Sequence, residues 1–317
     1  MTYVLLVVGF ALLIKGADFF VEGASKIASI LRVSPLLIGL TIVAFGTSAP
    51  EATVSILAAM EGNADVALGN VIGSNIFNIT FVVGVTALIF PLLVESNTIR
   101  KEIPFTLLGS VVLLVVISDI ALQGLNSNLI TRSDGLIFLL IFTVFMYYIF
   151  EVARNNREQS KAEDIVEKSP WMKNAIRTVL GLAAIIFGGD LVVRNTSEIA
   201  VSLGMSETLV GLTIVAVGTS LPELVTSVTA AVKKQSEIAL GNIVGSNIFN
   251  ILFVLGASSV IAPLPVNDKI FADIFILLFL TVVLLIFSRT RYRIGKIEGS
   301  ILAIAYVIYL IFIILRN

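Results

Sequence analysis

One stretch of 41 residues occurs twice. Residues 39–79 read GLTIVAFGTSAPEATVSILAAMEGNADVALGNVIGSNIFNI, and residues 211–251 read GLTIVAVGTSLPELVTSVTAAVKKQSEIALGNIVGSNIFNI. The copies align at a constant offset of 172 without a gap, and 25 of the 41 positions are identical. The identities concentrate in two blocks, GTSxPE and GNxxGSNIFN. The rest of the chain reads as scaffolding around these four blocks.

Composition makes that scaffolding a membrane one. Of 317 residues 57% are hydrophobic and 14% charged, with mean hydropathy +1.02. A soluble domain would carry roughly 25% charged residues. The net charge of −1 argues against a nucleic-acid partner. There is no cysteine, which excludes disulfides, thiolate metal sites and thiol nucleophiles. There is no histidine, the commonest transition-metal ligand and proton relay. A cation site in this chain must be built from oxygen. The N-terminal apolar stretch lacks a basic leader and a small-residue cleavage site, and reads as a retained first helix.

A transmembrane helix needs about 20 apolar residues. Ten segments qualify, at about 3–27, 35–60, 66–92, 102–118, 134–152, 172–200, 207–232, 237–262, 269–288 and 297–315. The expected fold is an all-α polytopic membrane protein of ten transmembrane helices, arranged as two inverted five-helix repeats. Residues 1–152 form the first repeat and 171–317 the second. The polar stretch 153–170, exposed and in part helical, links them. Five helices per half turn the second copy upside down. Cytoplasmic loops collect Lys and Arg. With the N-terminus outside, the inside loops hold 16 basic residues, among them Arg100, Lys101, Arg154, Lys233 and Arg293, and the outside segments hold only Arg132, Lys269 and Arg316. The expected protein lies in the plasma membrane, with both termini outside and the central loop cytoplasmic. Inverted repeats suit secondary transporters, whose sites sit at the midplane where the repeats meet.

The likeness between halves extends into their first helices, where Gly16, Asp18, Ser25 and Ile27 match Gly188, Asp190, Ser197 and Ile199. These helices are expected to pack at the interface of the halves. Lys15, Asp18, Asp190 and Arg194 read as anchoring or snorkelling residues in preference to ion ligands.

In GTSxPE, Pro50 and Pro222 fall inside apolar segments. Proline removes a backbone donor and clashes with the carbonyl four residues back, near Gly46 and Gly218, so the helix must break. Freed carbonyls in lipid need protein or a bound ion. Thr47, Ser48, Thr219 and Ser220 add hydroxyl oxygens at the same break. Glu51 and Glu223 follow, and a carboxylate at membrane depth marks function by default. Two such carboxylates brought together need a cation or protons.

In GNxxGSNIFN, Ser74 and Asn78 share a helix face at i, i+4, and Ser246 and Asn250 repeat this. These four are read as ligands in preference to interhelical hydrogen-bonding groups. Asn75 and Asn247 point elsewhere, and both roles stay open for them. Asn70 and Asn242 read as helix-cap or packing residues. Gly69, Gly73, Gly241 and Gly245 are small-xxx-small packing positions that let this helix approach the broken one. The sum is a pseudo-symmetric oxygen cage suited to Ca²⁺, with oxygens that also accept Na⁺; Mg²⁺ keeps its waters and demands tighter geometry.

The paired blocks resemble the α-repeats of the cation/Ca²⁺ exchanger superfamily, most closely its prokaryotic Na⁺/Ca²⁺ exchanger branch. The resemblance covers essentially the whole chain. It implies Na⁺-driven Ca²⁺ antiport by alternating access, with Ca²⁺ and Na⁺ as substrates, the lipid bilayer as setting, no resident cofactor and no catalytic residue. It implies Glu51 and Glu223 as the central Ca²⁺ carboxylates. Thr47, Ser48, Thr219 and Ser220 would give hydroxyl or backbone oxygens, and the carbonyls of Ala44 and Ala216 would complete flanking Na⁺ sites. Ser74, Asn78, Ser246 and Asn250 would lie on the facing helices. Some relatives carry Asp at the position of Asn250, as K⁺-dependent members do; Asn in both halves favours a K⁺-independent exchanger with two carboxylates. Proton-driven members use another motif with extra acidic residues and usually a histidine, absent here.

The competing readings are H⁺/Ca²⁺ exchange, a Ca²⁺ channel with a glutamate filter, and an intramembrane enzyme. A channel fits an inverted pair poorly. An enzyme would be left with Ser/Glu chemistry alone. No obligate protein partner is evident in the sequence.

Overall fold

The computed structural model describes residues 2–96, 98–159, 170–204, 216–290 and 292–316. Apolar sequence in lipid must satisfy its backbone internally, and the described chain does so almost entirely as helix. The longer helices are α1 (Thr2–Leu31), α2 (Pro35–Thr47), α3 (Ala49–Met60), α4 (Ala64–Ile89), α5 (Ile103–Val116) and α6 (Arg132–Gln159). They continue as α7 (Trp171–Ser202), α8 (Leu221–Val232), α9 (Ser236–Ile261), α10 (Asp268–Arg289) and α11 (Lys296–Arg316). Among the described residues seven helices are long and apolar enough to cross a membrane, and the bent pair α2–α3 makes an eighth span. The chain is thus an all-helical, multi-pass membrane protein. The fourth expected segment, about 102–118, is preceded by a π turn, Thr98–Glu102, that leads into α5. With 14 residues, α5 by itself rises about 21 Å, short of the ~30 Å hydrocarbon core. Residues 207–215 of the seventh expected segment lie outside the described residues.

α6 runs on to Gln159, so the start of the expected linker continues the fifth helix. Residues 160–169 of the linker lie outside the described residues. The first helices of the halves pack as expected. A Cβ added at Gly16 would stand 2.8 Å from the Gly181 carbonyl oxygen, and one at Gly188 would stand 2.8 Å from that of Gly9. Small residues at both positions let α1 and α7 touch backbone to backbone.

Two short antiparallel pairs, absent from the sequence reading, clip one half to the other. β1 (Leu92–Leu93) pairs with β4 (Arg293–Ile294), and β2 (Leu129–Ile130) pairs with β3 (Leu264–Pro265). α4 and α9 each carry a π turn, at Asn78–Val82 and Phe249–Val254. Such a turn inserts one residue and re-aims the side chains around it, often at functional sites. Beside each turn lies an aromatic stack on one helix face. Phe77 and Phe81 are 5.2 Å apart under Tyr306 of α11, and Phe249 and Phe253 are 4.8 Å apart under Phe142 of α6. α9 is buried along most of its length, as befits the helix at the centre.

Candidate metal centre

The proline breaks fall where the sequence puts them. Pro50 stands in the first turn of α3, and the chain bends by 49° between α2 and α3. The hinge residue Ser48 has φ −84° and ψ 9°; its counterpart Ser220, before Pro222 and α8, has φ −93° and ψ 9°. Both glutamates therefore sit in the first turn of a helix, whose unpaired N–H groups favour a carboxylate. Both are completely buried.

The bonds at the centre cross between halves. Ser48 Oγ donates to Glu223 Oε1 at 2.7 Å, and Ser220 Oγ donates to Glu51 Oε1 at 2.8 Å. Among the described residues no Lys or Arg pairs with either glutamate. No group of three or more His, Cys, Asp or Glu side chains forms there either, so the formal charge of the site rests on two carboxylates. The remaining oxygens of the cage have no hydrogen-bond partner: Glu51 Oε2, Glu223 Oε2, Asn78 Oδ1, Asn250 Oδ1 and Ser74 Oγ are all buried and unpaired. A buried polar atom left unpaired costs about 1–3 kcal/mol, and more when charged. With the glutamates ionised, four of these five can only accept, which is the chemistry of a cation ligand set.

The other expected residues take distinct places. Ala44 offers its carbonyl oxygen to Ser246 Oγ at 3.5 Å and to Thr47 Oγ1 at 3.3 Å. Thr47 and Thr219 bond to asparagines: Thr47 Oγ1 donates to Asn242 Oδ1 at 2.9 Å and Thr219 Oγ1 to Asn70 Oδ1 at 3.4 Å. The backbone of Ala216 opens the short turn Ala216–Gly218 before that threonine, and its side chain lies outside the described residues. Asp18 and Asp190 stand apart from the cage, in ion pairs with Lys233 and Arg194.

Asn70 and Asn242 are packing residues and not caps. The cap of α4 is Asn63, whose side chain accepts from Val66 N. Asn70 Nδ2 donates to the Glu51 carbonyl oxygen at 3.1 Å and to Ser55 Oγ at 2.9 Å. Asn242 Nδ2 repeats this on Glu223 at 3.3 Å and Ser227 at 2.9 Å. Each asparagine thus holds its own half's glutamate backbone while accepting a threonine from the other half. Sequence reasoning missed this brace, although Ser55 and Ser227 are identical at the repeat offset. The glycines split. A Cβ at Gly241 or Gly245 would come within 2.7 Å of the Leu36 or Leu40 carbonyl oxygen, so α9 lies against the broken helix of the opposite half. A Cβ at Gly69 or Gly73 meets no described atom within 4 Å, and the repeat-related segment 205–215 lies outside the described residues.

This multi-pass helical protein buries two carboxylates, neither paired with Lys or Arg among the described residues, amid further accepting oxygens, an arrangement whose chemistry suits a cation. The chain belongs to the sodium/calcium exchanger family, whose model, described as "Sodium/calcium exchanger protein", matches residues 1–151 and 173–315. It is 42% identical to CaxA of Alkalimonas amylolytica, over 96% of each chain. It is 34% identical to the sodium/calcium exchanger MaX1 of Methanosarcina acetivorans, over 98% of this chain and 97% of that one. A solved structure of the sodium-calcium exchanger NCX_Mj superposes with a TM-score of 0.82 at 30% identity, covering 97% of this chain and 98% of that one.

Proposed function

We propose that this chain is a secondary active antiporter that exports Ca²⁺ in exchange for Na⁺ by alternating access, electrogenic and independent of K⁺. One observation carries this: the unpaired oxygens of Glu51, Glu223, Asn78 and Asn250 are contributed equally by two halves joined by crossed serine–glutamate bonds. A site on the seam between two halves changes access when one half moves against the other. Family membership and the likeness to MaX1 and NCX_Mj support the same reading.

In this proposal Glu51 and Glu223 take Ca²⁺. Ser48 and Ser220 donate their protons to those carboxylates and keep their lone pairs for the ion. The Ala44 and Ala216 carbonyls, with Thr47, Thr219, Ser74 and Ser246, extend the oxygen set for Na⁺ on either side. Asn78 and Asn250 add neutral carbonyl oxygens, which hold the formal charge at two. Ca²⁺ then leaves the cage near neutral, and more than two Na⁺ leave it positive. Moving one charge across the membrane is worth about 2.3 kcal/mol per 100 mV. A negative interior should therefore accelerate Na⁺ entry coupled to Ca²⁺ exit.

The architecture proposed is ten helices in two inverted five-helix repeats, with both termini outside and the linker in the cytoplasm. The repeat-related breaks, braces and π turns support it, as does the bias of basic residues. Cysteines introduced at Ser127 and Gln159 of this cysteine-free chain should label from opposite sides, the first from outside; same-side labelling refutes the arrangement.

Ca²⁺ uptake into inverted vesicles under an imposed Na⁺ gradient, with the potential clamped by K⁺ and valinomycin, tests the function. Uptake driven by a pH gradient alone would make the two glutamates proton carriers. A Na⁺-driven flux indifferent to potential would mean two Na⁺ per Ca²⁺.

A further inference from the structure

Asn75 and Asn247 sit three residues before the site asparagines and contribute none of the unpaired oxygens. They are fully or almost fully buried, and they face each other across the seam. Asn78 Nδ2 donates to Asn247 Oδ1 at 3.2 Å, and Asn250 Nδ2 donates to Asn75 Oδ1 at 3.4 Å. Asn75 Nδ2 in turn donates to the backbone carbonyl oxygen of Asn247 at 3.4 Å.

A primary amide has one accepting end and one donating end, nearly equal in shape. Turned one way, Asn78 offers a cation a carbonyl oxygen; turned the other way, it offers N–H groups that repel it. Packing alone distinguishes the two poorly, so the choice falls to the hydrogen-bond partner. Asn250 is held by an acceptor on Asn75, and Asn75 is held by a backbone carbonyl. A carbonyl oxygen has no proton to give, so the direction of that chain is fixed from its far end. Asn78 is held by the acceptor on Asn247. Both site asparagines are left with Oδ1 unpaired.

We propose that Asn75 and Asn247 are positioning residues which lock the amides of Asn250 and Asn78 with their oxygens toward the ion, each half orienting the ligand of the other. The inference rests on the reading of Asn78 and Asn250 as ion ligands. It also gives a reason for the pair to be duplicated: each is needed by the half it does not belong to.

The test is a double-mutant cycle in proteoliposomes, read as the KM for Ca²⁺ and kcat of Na⁺-driven flux. Asn247→Ala removes the acceptor for Asn78 and leaves the backbone carbonyl that holds Asn75. Asn78→Asp replaces the amide by a group with oxygen at both ends, for which orientation no longer matters. Asn247→Ala should raise KM by about tenfold with kcat little changed in the parent chain, and by less than about threefold in the Asn78→Asp background. An equal rise in both backgrounds makes Asn247 a packing residue and overturns the proposal. Should Asn247→Ala fail to fold, Asn75→Ala combined with Asn250→Asp reads the other arm by the same criterion. If Asn78→Asp and Asn250→Asp themselves leave Ca²⁺ and Na⁺ affinity unchanged, the ligand reading fails and takes the relay with it. A shift in those variants without coupling sinks the relay alone.

Discussion

The centre and the margins of the two halves have diverged to different degrees. At the centre, Ser48 on Glu223 and Ser220 on Glu51 are bonded at 2.7 and 2.8 Å, and Asn70 and Asn242 hold the two glutamate backbones in the same way. At the margins the same repeat positions do different things. Asp18 of α1 pairs with Lys233 at the end of α8, at 2.7 Å. Its counterpart Asp190 pairs instead with Arg194, four residues along its own helix. The position equivalent to Lys233 is Glu61, which would repel Asp190. Each half also has a buried marginal carboxylate of its own, at positions that are not repeat counterparts: Asp273 of α10 is held by Arg316, and Glu102 before α5 takes the hydroxyl of Tyr148. Central side chains are each other's partners across the seam, so a change in one half breaks a bond made by both. At the margins the pairing is not reciprocal: Asp18 reaches Lys233 of the other half, while its counterpart Asp190 pairs within its own helix, so the two positions can drift apart.

The largest expected effect tests the symmetry of the centre. Glu51→Gln and Glu223→Gln should each weaken Ca²⁺ transport to the same extent, by the order of 100-fold or more, since each removes half the charge of a buried site. Both variants should still fold, as judged by gel filtration in detergent. Normal Ca²⁺ flux in either one would show that this carboxylate is not a ligand.

A smaller effect should expose a limit to that symmetry. Asn242 is fully buried and accepts Thr47 at 2.9 Å; Asn70 is partly buried and accepts Thr219 at 3.4 Å. Asn242→Ala should cost about 2 kcal/mol and Asn70→Ala about 1 kcal/mol. Melting temperatures of the two purified variants compare them, and an equal or reversed loss would mean that the difference in burial does not matter to the brace.

The smallest effect belongs to the margin. Lys233→Ala breaks a link between two helices and should cost about 0.5–1 kcal/mol, while Arg194→Ala breaks an exposed pair within one helix and should cost about 0.3 kcal/mol. Raising the salt should shrink both losses. If Arg194→Ala proved the more damaging, α1 and α8 would not be tied by this pair.

How much of this was legible depended on the range of the physics involved. Pro50 and Pro222 act on the carbonyl four residues back, so the breaks could be placed from sequence alone. Ser74 with Asn78, and Ser246 with Asn250, share a face by helical period, and a glutamate within an apolar run announces itself by its cost. The roles of Asn70, Asn242, Asn75 and Asn247 were not legible in the same way, because their partners lie on other helices or in the other half. The two strand pairs were hidden for the same reason: two residues carry no pattern until another two lie beside them.

The sequence by itself determined that this is a helical membrane protein made of two related halves, each with a proline break, a buried carboxylate and a face of small polar residues. Those properties follow from hydropathy, helical period and proline geometry, which act within a few residues. Only the tertiary structure decided that each serine serves the opposite glutamate, and that each glutamate backbone is pinned by an asparagine whose carbonyl is held from across the seam. Such a bond joins positions about 170 residues apart, as Ser48 and Glu223 are. It depends on angles and distances of about 3 Å that only the packed helices set.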